Sequence, residues 1–314
     1  MKKLLTLFLT LMLIAVISLS SAASTADVSR ELLDIQASFQ EKTTISGYEE
    51  ALAFSSMEWI YSRQIEYPVN DGTAATLAKR ILVYASTATL PETFPEPDEL
   101  IALQGADGSF GDPETHCLAM LALRSVKKSY NSPGAYKHLL SLQNQDGSFG
   151  SSIKETALAV INLSLSENTD EINAVRIAID YMAKFRAEGI EELCWQIIGL
   201  TDSGVNALNT GDNTRLEALL SYRTKHGNFS TTTDGENPDD GVTVKALLAL
   251  DAINRDGSAF KRIATDGLLK RYSIEDFRSL IYFGIGALVV SVAFWIYIFL
   301  HKKHDKTLEE TKIY

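Results

Sequence analysis

The sequence predicts an all-α fold of repeated helical hairpins, followed by one membrane-spanning helix. The hairpins are predicted by a repeat, because LQGADGSFG begins at Leu103 and LQNQDGSFG at Leu142, each followed by an alanine- and leucine-rich run. The span is predicted by the segment from Ser279 to Leu300, which is 22 residues long and carries no charge. The composition, 46% hydrophobic and 22% charged, is that of an ordinary folded chain.

The first residues have the pattern of a secretory signal peptide. Lys2 and Lys3 precede an uncharged apolar run, Leu4 to Ile17, and small residues follow. We expect residues 1–23 to be the signal peptide, with an uncleaved N-terminal anchor as the alternative. The cleavage position stays open among Ala22, Ala23 and Ala26.

The uncharged segment 279–300 is long enough to cross a bilayer, because a helix of this length covers roughly 33 Å. Tyr282 lies near one end, and Trp295 and Tyr297 lie near the other, where aromatic rings suit the membrane interface. A buried soluble helix is the alternative. Basic residues flank both ends, so the signal peptide decides the orientation. It predicts an extracytoplasmic or lumenal domain over 24–275 and a cytoplasmic tail over 301–314, at the cell membrane or a secretory-pathway membrane.

Charge and cysteine content narrow the function classes. The net charge is −11 and the acidic residues are scattered, so nucleic acid is not an expected partner. Cys117 and Cys194 both lie in apolar helical patterns. The sequence leaves two alternatives open for this pair: two buried free thiols or one disulfide. Neither alternative supplies the several disulfides that hold a small fold together.

The repeat extends beyond its two clear copies. SYRTKHGNF, from Ser221, places Gly227 and Phe229 at 80 residues beyond Gly147 and Phe149, with Arg223 in the position of the glutamine. Each unit is predicted as helix, glycine loop and helix; Tyr136 to Gln143 and Lys154 to Leu165 are examples. With a period near 40, residues 27–271 hold about six hairpins. The repeat positions lie near Gln64, Gln104, Gln143, Phe185, Arg223 and Lys261.

The two helices of a unit differ in pattern. ALAVINL and CLAMLAL are apolar or small almost throughout, which is typical of a helix covered on most sides. Partner segments such as GAYKHLLSL are amphipathic. This difference predicts an inner layer of buried helices and an outer layer with one face in water.

The DGSFG loop is interpreted as a structural joint between hairpins. Its glycine permits backbone angles that a β-carbon forbids, its aspartate bonds turn amides, and its phenylalanine is buried. A glutamate follows in the first turn of the next helix, where negative charge is favourable. The residues concerned are Asp107, Gly108, Phe110 and Glu114 in one copy, Asp146, Gly147, Phe149 and Glu155 in the next, and Gly227 and Phe229 in the third.

The pattern Q-x-x-D-G-S-F-G, followed by E-T and an alanine/leucine helix, resembles the QW-type repeat of squalene and terpene cyclases and protein prenyltransferase β subunits. The likeness is strong over 98–165 and weak over the rest of 50–271. It implies an α/α toroid, six inner and six outer helices around a central cavity. It also implies that Gln104 and Gln143 pair with backbone groups at neighbouring helix ends. The superfamily includes non-catalytic members, among them vitamin carriers and membrane-complex subunits.

The zinc of the resembled prenyltransferases is held by Asp, Cys and His, and no such set is expected here. His116 and Cys117 are adjacent and project about 100° apart on a helix, so they do not converge on one metal. His138 and His226 lie in outer-helix or loop contexts, and no recognised ligand spacing occurs. We therefore predict no metal and no cofactor.

Candidate acids occur in one loop. Class II terpene cyclases use D-x-D-D before an inner helix, and N-P-D-D here aligns Asp239 with the acid that protonates substrate and Asp240 with the last acid. Asn237 replaces the first aspartate, and the polar loop offers little desolvation to raise a carboxyl pKa. A helix cap at Asp240 is the simpler interpretation. Asp234 and Glu236 in the same loop leave a carbohydrate-active enzyme as a further alternative.

Two N-glycosylation triplets are present, NLS at Asn162 and NFS at Asn228. Asn162 falls inside an apolar helix, so Asn228 is the candidate.

The predicted function is that of a membrane-anchored extracytoplasmic helical-repeat module without catalysis. It would bind a small hydrophobic ligand or scaffold a protein partner in a membrane complex, held to the membrane by its C-terminal helix. The alternative is a terpene-cyclase-like or carbohydrate-active enzyme that uses acids of the 234–240 loop.

Overall fold

The structure, a computed structural model, describes residues 28–60, 62–208 and 215–268, which belong to one compact unit. The predicted signal peptide, the predicted span 279–300 and the predicted tail lie outside these residues. Among the residues described, no helix is both long and apolar enough to cross a membrane.

The described residues are almost entirely helical, which confirms the all-α prediction. Two three-residue strands, β1 and β2, pair in parallel, with Ile45 opposite Ile65. The elements in chain order are α1 (28–38), β1 (Thr44–Ser46), α2 (Tyr48–Ser56), β2 (Gln64–Glu66), α3 (Ala74–Thr87), α4 (Glu96–Ala102), α5 (Pro113–Ser125), α6 (Ser132–Ser141), α7 (Ile153–Leu163), α8 (Thr169–Lys184), α9 (Ile190–Asp202), α10 (Arg215–Leu220), α11 (Asp240–Arg255) and α12 (Ala259–Thr265).

Six of these helices form a closed ring. In the order α2, α3, α5, α7, α9 and α11 each helix contacts the next, and α11 contacts α2. Their residues are buried nearly all round; Thr115 to Leu123 of α5, for example, are all buried. An all-apolar helix is stable in this position because neighbours cover it on most sides.

Amphipathic helices lie against the ring from outside. Helix α4 contacts α3, α6 contacts α5, α8 contacts both α7 and α9, and α10 contacts α9. Between α2 and α3 the chain forms no helix and instead returns through β2. Arg63 holds this return segment, because its guanidinium donates to the backbone carbonyls of Phe39 (3.0 Å), Lys42 (2.9 Å) and Trp59. Helix α1 also lies against the ring, with its Ser29 hydroxyl bonded to the Asn254 side chain of α11 at 3.1 Å. With α1, the described residues contain five outer helices, one fewer than the six-hairpin prediction.

Helix boundaries follow local capping signals. Helix α6 begins four residues before the predicted Tyr136, because Asn131 caps it by accepting from the Gly134 amide at 3.1 Å and a proline lies in the first turn. Helix α7 begins at Ile153, where Ser152 and Glu155 form a reciprocal capping box. Both predicted helices are present, and their ends differ by one to four residues from the prediction.

Helix α12 lies inside the ring. It contacts α2, α5, α7 and α11, and in the circular order α2 stands opposite α7 and α5 opposite α11. A seven-residue helix that contacts opposite walls must lie between them. Sequence spacing had placed a sixth hairpin near Lys261; the structure instead places this segment on the axis of the ring.

Candidate functional site at the N-terminal ends of the ring helices

The glycine corners all lie at one end of the ring, where the inner helices begin. Each corner glycine has a positive φ of about 90°, and a β-carbon there would collide with the next outer helix. At Gly108 it would lie 2.2 Å from the Gly134 carbonyl carbon of α6, and at Gly147 it would lie 2.7 Å from the Ile177 oxygen of α8. At Gly227 it would lie 2.9 Å from the Asp34 oxygen of α1. The third corner therefore joins the end of the chain's repeat region to α1.

The glutamines of the first two corners bond the same outer helices. The Gln104 amide nitrogen donates to the Gly108 oxygen at 3.0 Å and to the Asn131 oxygen at 3.1 Å. The Gln143 amide nitrogen donates to the Gly147 oxygen at 3.3 Å and to the Ala174 oxygen at 2.9 Å. In the third corner Arg223 takes this position and pairs with the Glu31 and Asp34 carboxylates of α1. An arginine suits this corner because α1 presents two carboxylates there.

The remaining corner residues serve the loop itself. The Asp107 carboxylate accepts from the Ser109 amide (3.0 Å) and hydroxyl (2.7 Å), and Asp146 accepts from Ser148 in the same way. These bonds lower the pKa of both aspartates. Each corner phenylalanine is buried; the three are Phe110, Phe149 and Phe229.

Charged side chains connect the ring helices at this same end. Lys154 of α7 lies 2.8 Å from the Glu114 carboxylate of α5 and 3.5 Å from Glu49 of α2. Lys245 of α11 lies 3.2 Å from Glu191 of α9 and 3.8 Å from Glu49. Lys42, before α2, lies 2.7 Å from Glu50 and 3.2 Å from Asp240. We call these eight residues the charged rim: Lys42, Glu49, Glu50, Glu114, Lys154, Glu191, Asp240 and Lys245.

The rim has five carboxylates and three ammonium groups, and its carboxylates lie in first turns of helices. Negative charge is favourable there because the helix N-terminus carries a partial positive charge. Burial alone would lower the pKa of Lys154, but Glu49 and Glu114 outweigh burial and raise it. The pKa of Lys42 is raised in the same way, because Glu50 and Asp240 outweigh the lowering by burial. The pKa shifts therefore favour the charged form of both lysines.

An aromatic layer fills the ring below the rim. The Lys154 ammonium lies 5.3 Å from the centre of the Trp195 ring, within cation–π range. The Trp195 ring is 5.3 Å from the ring of Phe260 in α12, and Phe260 is 6.4 Å from the ring of Tyr48. Tyr48 donates to the Glu49 carboxylate at 2.9 Å. From α12 to the rim, the interior is thus occupied by the chain's own side chains.

A small pocket opens beside the rim where the first and last ring helices meet. Its volume is about 230 Å³, below the roughly 300–1,000 Å³ of a drug-sized ligand site. It fits one side chain or a few waters better than an isoprenoid. Its lining is formed by Lys42, Ser46, Glu49, Glu50, Asp240, Gly241 and Val244.

The candidate acids lie at the surface and do not face one another across a chamber. The cap of α11 is Asp239, not Asp240: the Asp239 carboxylate accepts from the Val242 amide at 2.8 Å. Asp240 is the first helical residue, its side chain is 67% exposed, and it pairs with Lys42. Asp234 accepts from the Thr232 hydroxyl and the Glu236 amide, and these bonds lower its pKa. A general acid needs the opposite shift.

His116 has structural partners on both ring nitrogens. Nδ1 accepts from the Phe110 amide at 3.2 Å, which leaves Nε2 to donate to the Ala135 oxygen at 3.1 Å. Burial lowers the pKa of His116 to about 4. In the other corners a threonine hydroxyl bonds the equivalent phenylalanine amide, Thr156 at 3.0 Å and Thr243 at 2.9 Å.

The two cysteines are free thiols, both buried. Burial raises the pKa of Cys117 and Cys194, which keeps them protonated and unreactive. Within the described part of the chain, no group of three His, Cys, Asp or Glu side chains could hold a metal ion.

Of the two sequons, Asn162 is inaccessible, because it is buried and its amide donates to the Leu158 (2.9 Å) and Cys117 (3.2 Å) carbonyls. Asn228 is half-buried, and its side-chain oxygen accepts from the Thr224 hydroxyl.

Sequence reasoning missed the buried polar groups at the opposite end of the ring. Asp202, the last residue of α9, and Asp251 of α11 are buried carboxylates that bond α12. The available signal was an aspartate at the C-terminal end of an apolar helix, where negative charge is unfavourable. Gln196 was missed as well; its amide joins α9 to the end of α8 through the Met182 (2.6 Å) and Phe185 (2.9 Å) carbonyls.

Comparison with models of known protein families gave no match, and comparison with curated proteins gave none.

Proposed function

We propose that this chain is a membrane-anchored extracytoplasmic α/α toroid that scaffolds a protein partner without catalysis. The closed circular order of the inner helices and the three equivalent glycine corners support the toroid. The sequence pattern supports a signal peptide over 1–23 and an anchor over 279–300. The proposal carries no cofactor and no nucleic-acid partner.

The observation that carries this proposal is the occupied interior. Catalysis or carriage of a small hydrophobic ligand in a toroid needs an enclosed central chamber. Here Phe260 of α12 is fully buried between Trp195 and Tyr48 on that axis, and charged side chains cover the layer. An occupied axis favours a partner bound from outside over a ligand bound within.

The charged rim is the surface that we assign to the partner. Its carboxylates outnumber its lysines, and Glu191 and Asp240 are 58% and 67% exposed, so both are accessible to a basic side chain. The 230 Å³ pocket beside Asp240 has room for such a side chain. A contact of this kind depends on salt, because exposed charges are screened over about 8 Å at physiological ionic strength.

The test is co-purification of the full chain from its own membranes in mild detergent. The double variant Glu191→Gln with Asp240→Asn should capture at least about tenfold less of the partner protein than the unchanged chain. The control is Asp98→Asn, which removes an equally exposed carboxylate (69%) that pairs with Lys128 at the other end of the ring. Equal capture by both variants, or a small molecule in place of a protein, would contradict the proposal.

A variant without residues 279–314 separates two kinds of scaffold. Capture by the rim persists without the predicted span, whereas capture through the span is lost. The first result supports the rim as the contact surface, and the second contradicts it.

The enzyme alternative is tested by Asp239→Asn. Asparagine is as good a helix cap as aspartate, so a scaffold should retain partner capture and lose less than about 1 kcal/mol of stability. An enzyme that uses this acid would lose turnover while remaining folded.

A further inference from the structure

The pocket beside the rim lies at the seam where the circle of inner helices closes. One wall comes from α2 and the residues just before it, among them Ser46, Glu49 and Glu50. The other wall comes from the first two turns of α11, with Asp240 and Val244. Because α2 is the first inner helix along the chain and α11 is the last, a group bound here would contact both ends of the circle.

The edge of this pocket already holds one ammonium group. The Lys42 Nζ lies 2.7 Å from the Glu50 carboxylate on one wall and 3.2 Å from the Asp240 carboxylate on the other. The lining contains three carboxylates, with Glu49 as the third, and only this one ammonium group. Its net charge is therefore −2 when all four groups are ionised, which favours a cationic occupant.

Glu50 is an acceptor whose bonding is incomplete. The residue is 5% exposed and lines the pocket. Its Oε2 accepts from the Ser46 amide at 2.6 Å. Its Oε1 has the Lys42 ammonium as an ion-pair partner but accepts no hydrogen bond of ordinary geometry from any group that the structure describes. A further donor would be favourable at this oxygen, because a buried acceptor without a hydrogen bond is costly.

The arrangement of the oxygens favours an ammonium over a guanidinium. Arginine binds best to a carboxylate that presents both oxygens to its planar fork. On Glu50 the Ser46 amide takes Oε2, and on Asp240 the Lys42 ammonium takes Oδ2, so each carboxylate has at most one oxygen to offer. An ammonium is compact, and its three donors can reach single oxygens on different carboxylates.

The size and the apolar part of the pocket suit an alkyl stem. The volume of about 230 Å³ accommodates one long side chain and is too small for a helix. Val244, which is 4% exposed, and Gly241 form the part of the lining without charge. Lysine places its methylene stem along apolar surface while its charged head contacts polar groups.

We propose that this pocket takes one lysine side chain of the partner protein, with its ammonium between Glu50 and Asp240 and its stem against Val244. The proposal rests on the proposed function, because it requires that the partner docks at the rim. It adds the identity of the side chain that anchors the partner. It also adds the place where that side chain connects the first and last inner helices.

Ligand-observed NMR titration of the full chain in a neutral detergent tests the side chain. The probes are Nα-acetyl-lysine methylamide, the corresponding arginine compound and the corresponding norleucine compound, which has an alkyl stem without a charge. The lysine probe should bind at least about tenfold more tightly than norleucine and at least about threefold more tightly than arginine. Absence of saturable lysine binding, or equal affinity for lysine and arginine, would overturn the proposal.

A pocket-filling variant tests the position. Gly241→Leu adds volume and leaves every carboxylate in place; its β-carbon would lie 3.3 Å from the Asp239 carboxylate oxygen, which needs only a small shift. The control is Gly189→Leu at the start of α9, where φ is −149° and no described atom lies within 4 Å of the added carbon. Gly241→Leu should weaken lysine-probe binding at least about tenfold, and Gly189→Leu should leave it unchanged. Equal binding by the two variants would overturn the proposal.

A charge variant gives the same test without added volume. Asp240→Asn keeps the size of the side chain, so it should weaken binding of the lysine probe by about threefold or more and leave binding of the norleucine probe unchanged. Unchanged lysine binding in this variant would contradict the placement of the ammonium beside Asp240.

Partner capture from membranes separates the lysine pocket from the function on which it rests. Loss of capture in Gly241→Leu and in the double variant Glu191→Gln with Asp240→Asn supports both. Loss in the double variant alone keeps the rim as the docking surface and overturns the lysine pocket. Lysine-probe binding by a chain that captures no protein overturns the scaffold and supports the pocket as a lysine site.

Discussion

The two ends of the ring place carboxylates in opposite environments. At the rim, Glu49, Glu114 and Glu191 lie in first turns of helices, partly exposed, where the backbone favours negative charge. At the other end, Asp202 and Asp251 are almost fully buried. Asp202 is the last residue of α9, where the backbone disfavours negative charge, and Asp251 lies four residues before the end of α11.

This difference separates charges that the fold tolerates from charges that it needs. The exposed rim carboxylates, Glu191 and Asp240, keep much of their hydration and can be removed at little cost to stability. A buried carboxylate persists only with close partners. Ser258, the cap of α12, bonds Asp202, and Arg262 of α12 bonds Asp251 together with Ser56 and Arg255. Rim charges are therefore available for recognition, and the buried charges report on the seating of α12.

The largest effect that separates the two ends is expected for Asp251→Ala. It leaves Arg262, Arg255 and the Ser56 hydroxyl without their shared acceptor, so unfolding should become easier by about 3–5 kcal/mol. Glu114→Ala at the rim removes one of the two carboxylate partners of Lys154, leaves Glu49 as the other, and should cost at most about 1 kcal/mol. Urea denaturation of both variants measures the difference, and comparable losses would remove the distinction between the ends.

Backbone fit, not charge, should dominate stability at the rim end. Gly108→Ala puts a methyl group 2.2 Å from the Gly134 carbonyl carbon at a φ of +89°, so we expect a loss of about 3 kcal/mol. Gly72→Ala is the matched control, because its φ is +78° but nothing lies within 4 Å of the added carbon. That variant should lose only about 1 kcal/mol. Thermal or urea unfolding compares them, and similar losses would show that α6 moves aside.

The features that sequence predicted are those with local signals. Corners, caps and the apolar ring helices follow from residues within one repeat, such as the positive-φ glycine at Gly147 or the capping box at Ser152. The return segment between α2 and α3 was missed, because three-residue strands leave no alternation to detect. The position of α12 was missed because its sequence fits an ordinary amphipathic helix. Its place is set by contacts with distant residues such as Trp195 and Tyr48. The rim was missed for the same reason: its members span residues 42 to 245.

Lowering the pH should destabilise the folded chain through His116, at the rim end of the ring. Its folded pKa of about 4 lies below the unfolded 6.5, so the unfolded chain binds more protons in this window and stability falls as pH drops through it. His116→Thr copies the residue of the other two corners and keeps a hydroxyl near the Phe110 amide. Between pH 7 and 4.5 the unchanged chain should lose about 2–3 kcal/mol relative to this variant, measured by urea unfolding. Parallel pH profiles would contradict the assignment.

Acid should act in the opposite direction at the other end, through Asp202. Burial raises its folded pKa to about 6, above the unfolded 3.8, while Ser258, Lys261 and Arg262 partly oppose this rise. Because the folded chain binds more protons between these values, Asp202 adds stability as pH falls from about 6 to 4 and withdraws it at neutral pH. Asp202→Asn keeps an acceptor for the Ser258 amide and does not titrate. As the pH drops from 7 to 4.5, the free energy of unfolding of the unchanged chain should therefore rise by about 1–3 kcal/mol relative to that of this variant. Asp251 and Arg255 are the same in both chains, so their titration cancels in the comparison. If the stability of the unchanged chain relative to Asp202→Asn instead falls as the pH drops from 7 to 4.5, the Asp202 carboxylate is ionised in the folded chain. In that case its bonds to α12 outweigh the effect of burial.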